Sequence, residues 1–171
     1  MKKITLLAAI AMVAFTSNVV AQETATETAA TSATVITPIS IVKDTDMSFG
    51  NLVSTLDGGA IVLSTASGRT GNAGILAGPD GTVTAAAFTV TGETDFTYGI
   101  TLPASPFDVE NSDEIPETMA VGTFVSLPDE AGSLTSGTQT LLVGATITLG
   151  TGQASGVYTN AADLAVTVFY N

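Results

Sequence analysis

Cysteine, histidine and tryptophan are all absent from this chain of 171 residues, and only four lysines and arginines stand against 16 carboxylates. Without cysteine there can be no disulfide, so stability has to come from packing, from a partner strand, or from both. Without histidine or cysteine, Ser-His-Asp and Cys-His catalysis are excluded, and carboxylates remain as the only strong side-chain metal ligands. A Ser-Lys arrangement would have to use Lys43. It follows a strand pattern and precedes an Asp-rich turn, so it reads as a solvated edge charge.

The scarcity of cations is sharper than the totals suggest. Lys2 and Lys3 precede an apolar run, Ile4 to Phe15, and Val19-Val20-Ala21 offers small residues at cleavage positions, the pattern of an export signal over residues 1–21. The run is too short to span a bilayer, and no later stretch is apolar enough to do so. A chain starting at Gln22 keeps two cations, Lys43 and Arg69, against 16 carboxylates, a net charge of −14. Such a chain repels phosphate backbones and anionic membranes, which speaks against nucleic-acid binding and membrane insertion and for basic partners.

What is present is strand signal. Residues 22–34 contain only Ala, Thr, Glu, Ser and Gln, an extended arm with no side chain large enough to anchor a core. A single domain is expected over 35–171, with apolar residues through Val35, Ile36, Ile39, Ile41 and Val42 as its first strand. Alternation follows at Met47–Val53, Ala60–Leu63, Phe88/Val90, Phe96–Leu102 and Met119–Val125, the last with a bulge expected at Gly122. The longest clean alternation is Leu141, Val143, Ala145, Ile147 and Leu149. Gly92 to Asp95 reads as a hairpin loop, and no segment keeps a 3.6-residue period beyond the leader. About eight short strands separated by Gly, Pro, Asp and Asn imply an all-β fold, an immunoglobulin-like β-sandwich.

The chain stops on an apolar strand. Leu164, Val166, Val168 and Tyr170 lie at a period of two and share one face, with Asn171 last. The neighbour of that strand is not evident, so these five residues are the candidate partner-binding edge.

Two other stretches invite chemical readings. Asp108, Glu110, Asp113, Glu114 and Glu117 form an acidic loop that could hold Ca²⁺ or furnish a glycosidase pair. Their spacing matches no EF-hand and tryptophan platforms are missing, so a solvated loop is expected. The glycine-rich stretch Gly68 to Gly74 lacks the phosphate-loop spacing and reads as a turn between strands. No catalytic residue, metal site or cofactor is assigned.

Several short motifs carry a family resemblance when taken in order. They are Pro38-Ile39-Ser40-Ile41-Val42-Lys43, Asp46-Met47-Ser48-Phe49-Gly50, Gly68-Arg69-Thr70, Phe88-Thr89-Val90-Thr91-Gly92 and Val166-Thr167-Val168-Phe169-Tyr170-Asn171. From about Val35 to Asn171 the chain resembles the bacterial domain-of-unknown-function family 4402. That family is in turn similar to chaperone–usher pilins, including the spore-coat-U-like archaic branch. The resemblance implies an incomplete sandwich lacking its last strand, with Tyr170 as the penultimate aromatic residue.

It further implies a non-enzymatic subunit of an extracellular filament of a Gram-negative bacterium, a fimbrium serving cell adhesion. A periplasmic chaperone and an outer-membrane usher would handle the subunit in transit, and other copies or related pilin subunits would be its lasting partners. The candidate donor strand runs through Ala25, Ala29, Ala33 and Val35, smaller residues than donor strands of that type present. The rival expectation is a self-contained secreted β-sandwich that binds a surface polysaccharide or Ca²⁺.

Overall fold

The structure, a computed structural model, describes residues 24–54, 56–71, 75–77, 81–161 and 164–171, with backbone alone for 75–77. The expected export signal, the first two residues of the arm and residues 72–74 of the glycine-rich stretch lie outside the described residues. The chain divides into two compact units, Met1–Thr34 and Val35–Asn171. In the first, residues 24–34 are exposed and form no regular secondary structure.

The second unit is all-β and sandwich-like, with no helix among the described residues. Its strands are β1 (Ser40–Thr45), β2 (Ser48–Phe49), β3 (Leu52–Ser54), β4 (Gly59–Leu63), β5 (Arg69–Gly71), β6 (Ile75–Ala77) and β7 (Val83–Thr84). After these come β8 (Ala86–Thr91), β9 (Thr97–Thr101), β10 (Phe107–Glu110), β11 (Thr118–Leu127), β12 (Ala131–Ser133), β13 (Thr138–Leu149) and β14 (Thr167–Tyr170).

The larger layer has seven strands, in the order β1-β8-β13-β11-β10, with β4 on β13 and β5 on β4. The smaller layer is β12-β9-β14, and two short pairs, β2-β7 and β3-β6, complete the set. All pairings are antiparallel.

β13 organises the larger layer. Its apolar alternation buries Leu141, Val143, Ala145, Ile147 and Leu149, as a strand with one face on a core must. One edge of β13 is shared between two neighbours: residues up to Val143 pair with β8, and residues from Ala145 pair with β4. Gly144 sits at that change of partner, where an added Cβ would collide with the Leu63 carbonyl oxygen and lie 3.0 Å from the Ser64 carbonyl carbon. The bulge expected at Gly122 is present, as a register shift between Gly122 and Val125 against β13.

The core falls into two clusters. One joins Phe88, Val90, Tyr98, Leu134, Leu141 and Val143 between the two layers. Tyr98 is fully buried; its hydroxyl donates to Gln139 Oε1 at 2.9 Å, and burial pushes the phenol pKa up. The other joins Ile61, Met119, Val121, Ala145, Ile147 and Leu149, with Met47, Phe49, Leu52, Phe107, Val109 and Tyr158 packed against it. None of those residues belongs to the three-stranded layer, so irregular chain and the short pairs cover this cluster.

Five expectations are corrected. Gly92 to Asp95 is not a hairpin loop, because β8 and β9 lie in different sheets and the turn carries the chain between them. Part of the glycine-rich stretch is strand β5, paired with β4, and part of the acidic loop is strand β10, paired with β11. The first strand starts at Ser40, after Pro38, whose missing N–H cannot join a ladder. Among the described residues fourteen short strands replace the roughly eight expected, since turns divide several of them: Gly50, at φ 64°, separates β2 from β3.

Candidate functional site

The terminal residues alternate as their period implies. Leu164, Val166, Val168 and Tyr170 are half-buried against the cluster around Tyr98, while Ala165, Thr167, Phe169 and Asn171 are exposed. Regular pairing covers only Thr167–Tyr170, with Val168 opposite Ile100 and Tyr170 opposite Tyr98 on β9. Asn171 follows, its N–H donating to the Thr97 carbonyl at 3.4 Å. Among the described residues β14 pairs on one side only and ends its sheet. The four side chains thus serve the core, and the free edge presents backbone.

Tyr170 has a further role. Its hydroxyl accepts from the Glu93 N–H at 2.6 Å and donates to the Thr37 carbonyl at 2.7 Å. The Thr37 N–H in turn donates to Glu93 Oε2 at 2.7 Å. Hydrogen bonds from Thr37, chiefly its backbone N–H, hold the Glu93 carboxyl below the usual glutamate range, against a smaller upward effect of burial. Phe96 packs edge-on to the Tyr170 ring, with centroids 5.6 Å apart. Gly92 makes the approach feasible, because a Cβ there would run into the Tyr170 hydroxyl and lie 2.9 Å from Leu134 Cδ1.

Over the second core cluster opens a cleft of about 1140 Å³. Its apolar lining comes mainly from the second core cluster and includes Met47, Phe49, Phe107, Val109, Met119 and Leu149; Leu164 also lines it, whereas no residue of β14 does. Both cations of the second unit are close by. Lys43 lines the cleft and is paired with Asp46. The Arg69 guanidinium donates to the carbonyls of Phe49 and Asn51, at 2.6 and 2.8 Å, and so fixes two lining residues. Arg69 is therefore a packing and hydrogen-bonding residue.

Residues 153–161 form one wall of the cleft, and the acidic stretch holds them there. Glu117 Oε2 accepts from Gln153 Nε2 at 2.9 Å and from the Ala154 N–H at 3.0 Å. Tyr158 donates to the Ala154 carbonyl at 2.9 Å, and Gln153 Nε2 also donates to the Tyr158 hydroxyl at 3.0 Å. Further along, Thr159 pairs with Glu110, and Asn160 Nδ2 donates to the Asp108 carbonyl at 2.7 Å. The buried Asn111 closes the loop, accepting from the Glu117 N–H at 2.8 Å and donating to Asp113 at 2.6 Å. Among the described residues no three carboxylates gather where they could hold a metal ion.

Of the candidate donor residues, Ala25, Ala29 and Ala33 lie in the exposed arm, and Val35 in the second unit is 95% exposed. Sequence reasoning missed Thr37, Glu93, Gln153 and every cleft residue apart from Leu164. The lining comes from distant parts of the chain, and no local pattern marks it.

Comparison with known proteins adds one finding. No curated protein and no solved structure matches the chain. The family model described as Domain of unknown function (DUF4402) matches residues 39–170, which takes in β1 to β14 entire, the cleft lining and Tyr170. The chain belongs to the DUF4402 family.

Proposed function

We propose that this protein is a non-enzymatic structural subunit of an extracellular filament, joined to its neighbours by strand exchange. The observation that carries the reading is the free edge of β14 in a sandwich whose smaller layer covers only one of two core clusters, with an apolar cleft open over the other. The cleft exceeds the roughly 300–1,000 Å³ usual for small-molecule sites, which suits an extended segment. Strand addition draws affinity from backbone hydrogen bonds and specificity from alternate side chains. The arm of a second copy, residues 22–34 continued to Val35, is the donor.

In this reading the fold is an immunoglobulin-like sandwich short of one strand. The subunit is exported through the periplasm, where a chaperone shields the edge and an outer-membrane usher delivers it to a fimbrium-like filament at the cell surface. Shielding matters because an open apolar edge otherwise pairs indiscriminately. The surplus of carboxylates supports basic partners in transit.

The test uses the chain from Gln22 and a synthetic peptide of residues 22–36. A peptide that seats on β14 at a hundredfold excess over its Kd stabilises the fold by about 2.7 kcal/mol. For a domain of this size that is on the order of 5–10 °C in Tm. A two-state monomer indifferent to the peptide, whose stability and assembly survive deletion of residues 22–34, refutes the proposal.

A further inference from the structure

The three hydrogen bonds among Tyr170, Glu93 and Thr37 join the last strand to a point 133 residues earlier in the chain. Closing so long a loop has an entropic cost that one contact between exposed groups does not offset. Here the cost is shared. The Tyr170 ring is half-buried, stacked edge-on by Phe96 and admitted by Gly92, so its hydroxyl is already in place. Glu93 completes the ring of bonds by receiving Thr37 and donating to Tyr170.

Both ends of this clamp matter to strand exchange. Tyr170 belongs to β14, whose outer edge is free. Thr37 comes three residues after Thr34, the last residue of the first unit. Resting on the strand-exchange reading, we propose that Tyr170 and Glu93 are positioning residues that couple the two roles of one copy. A strand seated on the outer edge of β14 firms the hold on Thr37 and so orders the root of that copy's own arm. Filling the acceptor edge then readies the donor, which makes growth sequential.

The readout is amide exchange at Thr37 in the full chain from Gln22, with and without the peptide of residues 22–36. Wild type should show Thr37 exchange slowed about tenfold by bound peptide, one hydrogen bond's worth of added protection. Tyr170→Phe keeps the ring but loses the hydroxyl, so at saturating peptide, whatever its Kd for this variant, it should show no slowing at Thr37. Glu93→Ala should also lose the response, and Glu93→Gln, which retains an amide oxygen for the Thr37 N–H, should restore most of it.

Peptide bound to wild type with Thr37 unmoved overturns the coupling and leaves strand exchange standing. Equal slowing of Thr37 in Tyr170→Phe overturns the coupling in the same way. If the β14 amides do not respond to peptide at all, strand exchange itself fails and the coupling falls with it.

Discussion

Glu117→Ala tests whether one carboxylate holds the wall of the cleft. The side chain is exposed, but its Oε2 accepts from Gln153 Nε2 and from the Ala154 N–H, at 2.9 and 3.0 Å. Each bond is worth roughly 0.5–1 kcal/mol net at an exposed site, so their loss should cost the segment about 1–2 kcal/mol. That corresponds to Ala154 amide exchange faster by about 5–30-fold. Other ties remain in the variant: Thr159 stays paired with Glu110, Asn160 with the Asp108 carbonyl, and Gln153 Oε1 accepts from the Gly150 N–H at 3.1 Å. The segment should therefore open locally. Tm should fall by less than the roughly 2–8 °C that 1–2 kcal/mol would bring if it opened only with the whole fold. Glu117→Gln keeps one acceptor oxygen and should lie between wild type and Ala. Unchanged exchange at Ala154 in Glu117→Ala, measured by hydrogen–deuterium exchange, would refute the assignment and return the acidic stretch to a solvated loop.

Other outcomes follow from the same geometry. Tyr98→Phe should cost about 1 kcal/mol in a urea titration, at the low end for a buried bond, because Gln139 Oε1 still accepts from the Ser133 N–H at 2.8 Å. Gly144→Ala should cost about 1–3 kcal/mol by overpacking at the point where β13 changes partner, read as a lower Tm. Because the folded-state pKa of Glu93 is depressed, its bond from Thr37 adds stability above the unfolded pKa, near 4.3, and loses it as pH falls through the lower folded value. Thr37 protection, corrected for intrinsic exchange, should therefore decline toward acid. A chelator should leave Tm unmoved, since no three carboxylates converge among the described residues; a fall would revive Ca²⁺ binding.

The legible parts of the fold were those written locally. The two-residue period of Leu141 to Leu149 and of Leu164 to Tyr170 marked one face of each strand, and both faces are turned to the core. Gly122 marked a bulge because glycine weakens a strand where the ladder breaks. The crossing at Gly92 to Asp95 was not legible, since the same turn residues serve a hairpin and a passage between sheets. Gly92 is needed there for a different reason, the Tyr170 hydroxyl beside it. Glu117 read as one carboxylate among five, and only its distance from Gln153 and Ala154 separates it from the others. The cleft was invisible for the same cause: Phe49, Phe107 and Leu164 meet through topology, and nothing in their neighbours along the chain announces it.

The arm and the cleft make unequal partners in size, and this narrows how strand exchange can work. Residues 24–34 present nothing larger than Thr and Glu, whereas the cleft lining is made of Met, Phe, Val and Leu around about 1140 Å³. Backbone pairing along β14 can proceed with small side chains, but pockets filled only by alanine leave apolar surface uncovered, at about 25 cal/mol for each Å² not buried. The large apolar residues nearest the arm are Val35 and Ile36, 95% and 38% exposed. They are also the residues next to Thr37, which Tyr170 and Glu93 hold. A donor that used Val35 and Ile36 for grip would bring the two bodies close together, since neither residue is far from its own β1. A donor that used Ala25 to Ala33 would allow a reach of about 3.3 Å per residue and a looser joint. Strong grip and long reach thus oppose each other in this chain. Substituting leucine at Ala29 separates the cases: it should tighten peptide binding if the arm enters the cleft, and leave it unchanged if Val35 and Ile36 carry the contact.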